Sequence, residues 1–136
     1  MLTTRLIHPQ LIAALARCGH GSKILIADGN YPLAEKTGNA EKIYLGLMPG
    51  TPTVTEVLEA LLTVIRVEKA EVMVPASGDL PAVFAEFEKL LPELELCGLE
   101  RYAFYDACMQ QGAIMLAIAT GEQRTFANLL LTVGCA

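Results

Sequence analysis

Gly19-His20-Gly21 and, eight residues after the histidine, Asp28 form the tightest grouping of chemically capable side chains in the sequence. Histidine is the side chain best suited to moving protons near neutral pH. A carboxylate accepts hydrogen bonds from sugar hydroxyls or orients a neighbouring polar group. The surrounding residues suggest how the two are placed. Leu11, Ile12, Leu15 and Cys18 recur at helical spacing behind Pro9, which predicts a helix over 9–18. Gly19 suits the left-handed position just past its end. The dipole there favours a protonated imidazole. Flanking glycines let backbone and ligand come close. Residues 23–27 read as a buried strand that stops at the turn pair Asp28-Gly29. Open α/β sheets bind ligands at the carboxyl ends of their strands. A small polar-ligand site is the expectation. The plainer alternatives are a hydrogen-bonded surface histidine and an aspartate that only serves its turn.

Two further polar residues stand out. Arg101 opens Arg101-Tyr102-Ala103-Phe104-Tyr105 at an expected helix start. Read alone it is a solvated charge, yet a cation is poorly placed at that end of the helix dipole. Asn128 follows Ala127 and leads into an apolar run. A buried amide must find partners, either a structural bond or a ligand. Tyr31, before Pro32, either stacks on a sugar face or packs.

The elements that must position these residues alternate. Ile43, Leu45 and Leu47 suggest a second strand, broken by Pro49-Gly50-Thr51-Pro52. Thr53-Val54-Thr55-Glu56 is a capping-box pattern. The following Val57, Leu58, Leu61, Leu62 and Ile65 keep helical spacing. Residues 68–74 read as a strand. Asp79 then reads as the N-cap of a helix carrying Leu80, Val83, Phe84, Phe87, Leu90 and Leu91, stopped by Pro92. A short strand over 94–99, a helix over 102–111 and a continuous apolar strand over 113–119 follow. Residues 127–133 are apolar and fit either strand or helix. The class is α/β with a mostly parallel, covered sheet. No repeat or linker interrupts 1–136, which reads as one domain.

Composition narrows the function. The chain is 53% apolar with a formal charge of −5. Its mean hydropathy is +0.42. The apolar excess predicts a deeply buried sheet and a subunit interface. No apolar run approaches the roughly 20 residues of a membrane helix. The acidic balance and the lack of a basic stripe argue against nucleic acid. No secretory signal opens the chain, so a cytoplasmic location is expected. Cys18, Cys97, Cys108 and Cys135 are scattered and read as free thiols, with neither a metal site nor a disulfide framework. Walker, Rossmann, Gly-x-Ser-x-Gly and His-Glu-x-x-His patterns are absent.

The ordered series Gly19-His20-Gly21, Asp28 with Pro32, Arg101-Tyr102-Ala103-Phe104-Tyr105, Thr120-Gly121-Glu122 and Phe126-Ala127-Asn128 resembles the RbsD/FucU family of D-ribose pyranases and L-fucose mutarotases. The resemblance runs nearly end to end. It implies a three-layer α/β/α fold with a mixed, mainly parallel sheet. It also implies a homo-oligomer, often a decamer, with sites near subunit contacts. His20 falls on the family's proton donor and Asp28 on its sugar-binding aspartate. Arg101 falls on a position that is histidine in ribose-type members and arginine in fucose-type members. Phe126, Ala127 and Asn128 fall on a sugar-binding segment whose first residue is usually tyrosine. The implied activity is interconversion of the anomers of an L-fucose-like free monosaccharide without a cofactor or metal. D-ribose pyranase activity and non-catalytic sugar binding are the alternatives; the phenylalanine at 126 suggests the latter.

Overall fold

The structure is a computed structural model that describes residues 1–110, 112, 114 and 116–136. Strands β1 (Lys23–Ala27), β2 (Glu41–Tyr44), β3 (Val67–Val74), β4 (Leu96–Glu100), β5 (Leu116–Ala119) and β6 (Leu129–Val133) form one sheet in the order β2-β5-β1-β6-β3-β4. The pairs β2/β5, β5/β1 and β3/β4 are parallel. Only β6 runs the other way, antiparallel to both β1 and β3. The sheet is therefore mixed and mainly parallel.

Side-chain alternation divides the core between the two faces of the sheet. Ile24, Ile26, Leu129 and Leu131 point to a cluster shared with helices α1 (Pro9–Leu15), α2 (Val54–Leu61) and α3 (Val83–Leu90). Leu25, Ala27 and Leu130 point to a second cluster under α4 (Arg101–Met109) and the segment carrying Tyr31, Leu33 and Ala40. This is a three-layer α/β/α arrangement. Of the ambiguous 127–133 run, Leu129–Val133 is a strand because it is central: every residue of β6 is buried. A strand covered on both faces loses the alternation that would have marked it.

Helix α2 carries the capping box the sequence predicts. The Thr53 hydroxyl accepts from Glu56 N at 3.2 Å, and Glu56 Oε2 accepts from Thr53 N at 2.8 Å. Thr53→Ala is expected to cost about 1 kcal/mol, read as a lower urea midpoint with an unchanged slope.

Several boundaries differ from expectation. Helix α1 ends at Leu15, and turns carry the chain to Cys18. The left-handed glycine is Gly21, at φ 85°, rather than Gly19. His8 caps α1, its Nδ1 accepting from Leu11 N at 3.3 Å. β2 ends at Tyr44, leaving Leu47 exposed, because the chain turns back at Met48–Thr51. Helix α3 begins at Val83, and its N-cap position is Ala82 with no side-chain bond. Asp79 is therefore not the cap, and Leu80 lies outside the helix and exposed. β4 and α4 begin two residues and one residue away from their expected starts, respectively, and α4 follows β4 without a loop. Of the strand expected over 113–119, Leu116–Ala119 is observed, while Ala113 and Met115 lie outside the described residues, as does Gln111 at the end of the expected helix.

Candidate functional site

One edge of the sheet gathers five of the six candidate residues. Asp28 directly follows β1, and Arg101 directly follows β4. Phe126, Ala127 and Asn128 lead into β6, whose reversed direction brings its start to that same edge. Parallel strands with one reversed member thus converge a strand end, a helix start and a loop. Asp28, Arg101, Phe126 and Asn128 line a cavity of about 250 Å³ together with Tyr31 and Tyr105. That is somewhat below the size of pockets for drug-like molecules, so it suits a small polar ligand. Ala127 is fully buried in the core beneath it.

A reciprocal pair anchors the cavity floor. Asp28 N donates to Asn128 Oδ1 at 2.9 Å, and Asn128 Nδ2 donates to Asp28 Oδ2 at 3.0 Å. Asn30 N donates to Asp28 Oδ1 at 2.8 Å. Both side chains are buried. The amide in the apolar run is satisfied by the carboxylate at the end of β1, and each retains bonding capacity for a ligand. Burial raises the Asp28 carboxyl above its ordinary value of 3.8, opposed by hydrogen bonds from Asn30, Asn128 and neighbouring backbone.

That shift has a sign. Between 3.8 and the raised value, the folded protein holds a proton that the unfolded chain has released. Asp28's contribution to stability is therefore full below that window and is lost as pH rises through it. In urea titrations across the acidic range, Asp28→Asn is expected to remove this component of the slope. Ligand affinity that depends on the carboxylate should run oppositely and weaken as pH falls through the raised value.

Phe126 and Arg101 form one wall. The Arg101 guanidinium lies over the Phe126 ring, 5.5 Å from its centroid. This accounts for a cation at a helix start: Glu100 caps α4, accepting from Tyr102 N and Ala103 N, while Arg101 faces an aromatic ring. Phe126 adopts φ 61°, a left-handed conformation uncommon for a bulky residue. Such strain persists where surroundings over-determine it. The loop that leads into Phe126 is pinned by Glu122 and Arg124. Glu122 is buried and accepts from Arg124 Nε at 3.0 Å and Nη2 at 2.8 Å. Arg124 also pairs with Glu86 of α3. Arg124 holds the Glu122 carboxyl below its usual range. In the sequence Glu122 enters only as the end of the Thr120-Gly121-Glu122 motif, with no role attached, and Arg124 does not enter, because a glutamate two residues before an arginine in a loop is too common to read as a pair.

His20 lies elsewhere. It follows α1 and precedes β1, at the amino edge of the sheet, where Gly21 N donates to Val133 O at the end of β6. Its Nε2 is 2.9 Å from Glu68 Oε2, and both side chains are substantially exposed. All of β1 separates it from Asp28, about 17 Å for five extended residues. Within one chain the two do not meet. The reason is geometric: a strand entered at one edge of the sheet leaves at the other.

Among the described residues no cluster of histidine, cysteine, aspartate or glutamate has metal-binding geometry. No helix among them is long and apolar enough to cross a membrane.

Fold and site together define an α/β protein with a polar, aromatic-walled cavity at the carboxyl edge of a mixed sheet. Residues 1–136 match the RbsD / FucU transport protein family, and the chain belongs to it. It is 32% identical to a D-ribose pyranase of Variovorax paradoxus, with 98% of each chain covered. It is 34% identical to a human fucose mutarotase, covering 95% of this chain and 89% of that one. The solved structure of Bacillus subtilis RbsD complexed with D-ribose superposes with a TM-score of 0.85 at 28% identity, over 100% of this chain and 99% of that one.

Proposed function

We propose that this protein interconverts the anomers of a free monosaccharide of the L-fucose type by acid/base opening and closing of the sugar ring, without a cofactor. The observation that carries the reading is the cavity built on the Asp28–Asn128 pair, with Arg101 stacked on Phe126 above it. The relatives named as mutarotase and pyranase support a sugar as the ligand. Arg101 favours the fucose type.

The chemistry needs only positioned hydrogen bonds and a proton mover. A base removes the anomeric hydroxyl proton while an acid protonates the ring oxygen. The ring opens to the aldehyde, the carbonyl rotates, and the ring closes on its other face. Asp28 accepts from sugar hydroxyls, and Asn128 and Arg101 donate to them. Phe126 offers a ring face to sugar C–H bonds, and Ala127 carries the backbone between them.

His20 moves the proton, and the cavity receives it from a second copy of the chain. Its separation from Asp28 and its exposure at the amino edge support this arrangement. So do the exposed Tyr44, Leu47 and Met48, which are apolar surface of the kind an interface covers. The assembly is a homo-oligomer, as large as a decamer on the family's pattern. A cytoplasmic location is consistent with four unpaired cysteines.

Saturation-transfer NMR on L-fucose and D-ribose tests the reading. Anomer exchange of L-fucose is expected to exceed the buffer rate. Faster exchange of D-ribose would make the protein a pyranase. Saturable binding by calorimetry without faster exchange would make it a binding protein, the reading the missing hydroxyl at Phe126 favours. Buffer-rate exchange and no binding with every sugar would overturn the proposal.

A further inference from the structure

Tyr105 stands one helical turn after Arg101 on α4, so the two side chains leave the same face of the helix. Both line the cavity. Three neighbours hold the Tyr105 ring. Tyr31 meets it edge-on at 5.4 Å and Tyr102 at 6.3 Å. The Lys36 ammonium lies over it, 5.8 Å from the centroid.

The hydroxyls of the two cavity tyrosines differ. That of Tyr31 is spent, donating to Lys36 O at 2.9 Å, and burial drives its phenol far above the usual range. That of Tyr105 makes no hydrogen bond to any described residue, and the residue is only partly buried. Asn30 and Thr125 add polar side chains elsewhere in the lining, and on the wall beside Arg101 this hydroxyl supplies what its neighbours lack. Asp28 and Asn128 spend part of their capacity on each other. Arg101 only donates, and Phe126 has no polar atom. A sugar hydroxyl both donates and accepts, and a phenol hydroxyl matches it in both roles.

We infer that Tyr105 is a substrate-contact residue: its hydroxyl bonds a sugar hydroxyl and so helps determine which ring configuration the cavity accepts. The inference rests on the monosaccharide reading above. It adds a residue on the wall that α4 supplies, held in place before the sugar arrives. A preorganised group loses little freedom on binding, so the bond it makes counts nearly in full.

The test compares wild type with Tyr105→Phe, using L-fucose and D-ribose as probes. By calorimetry, the variant is expected to bind the preferred sugar about fivefold more weakly, the effect of one hydrogen bond. Its urea midpoint should not move, because the hydroxyl bonds no described residue of the folded chain. The sequence has no tryptophan, so its near-ultraviolet spectrum reports chiefly on four tyrosines. Sugar titration should perturb that spectrum in wild type, and the perturbation should shrink in Tyr105→Phe. If wild type binds a sugar and the variant binds it equally well with the same spectral change, the inference is overturned and the monosaccharide reading stands. If wild type binds neither sugar, both are overturned.

Discussion

His20→Ala is expected to lose the gain over the buffer rate that one positioned acid/base group supplies, about 10²–10⁴-fold, while sugar binding by calorimetry changes little. The reason lies in what the cavity contains. Arg101 offers N–H donors and no acceptor. Burial drives the Tyr31 phenol up, far from neutrality. The Asp28 carboxyl is raised by burial but is tied to Asn30 and Asn128. Histidine is the side chain whose ordinary titration lies where ring opening needs it. His20 sits across the sheet from Asp28, so its loss should leave the sugar contacts intact.

That geometry also predicts complementation. Mixed oligomers of His20→Ala and Asp28→Asn would contain sites in which an intact histidine from one copy meets an intact aspartate from another. For random assembly of equal amounts, about a quarter of the sites are whole, because each needs one particular type on each side of the contact. Co-expressed variants should recover that fraction of exchange. Mixtures as inactive as either variant alone would remove the shared-site reading.

Gly121→Ala is expected to destabilise the fold by about 3 kcal/mol, the upper end of overpacking costs, and to weaken sugar binding with it. A Cβ there would lie 2.3 Å from Thr51 O and 2.6 Å from Met48 O. Both obstacles are backbone, so no side chain can swing aside. Gly121 N donates to Pro52 O at 2.9 Å, and its carbonyl accepts from Gly50 N at 2.6 Å. These bonds lash the turn after β2 to the turn after β5. The next residue, Glu122, accepts from Gly29 N at 2.8 Å through its carbonyl and holds Arg124 through its side chain. Pushing Gly121 aside therefore disturbs both the Asp28 turn and the loop that leads to Phe126. Gly19→Ala is the control. A Cβ at Gly19 meets nothing within 4 Å, and its φ is not left-handed. Urea unfolding should find it neutral or slightly stabilised, since alanine narrows the unfolded ensemble. Equal costs at the two glycines would refute the packing argument.

Local chemistry was legible in the sequence wherever one segment carried its own reason. The capping box of α2, the β1 strand and its Asp28-Gly29 stop each needed only near neighbours. The α/β class followed from alternating elements, and the candidate residues from their order along the chain. Misplaced boundaries had non-local causes. Asp79 is a good cap by residue type, yet α3 starts where Val83, Phe84 and Phe87 reach the core. The last strand was ambiguous because burial on both faces erased its alternation.

Tertiary structure alone decided which candidates meet. Asp28 and Asn128 are a hundred residues apart and share two hydrogen bonds, because β6 runs antiparallel beside β1. Arg101 lies over Phe126 because β4 ends at the edge where β6 begins. His20 and Asp28 are close in sequence, and the strand between them carries them to opposite edges. Residue types along a chain determine what each group can do. Strand direction determines which groups share a cavity, because a strand exchanges nearness in sequence for distance across a sheet, and antiparallel pairing does the reverse.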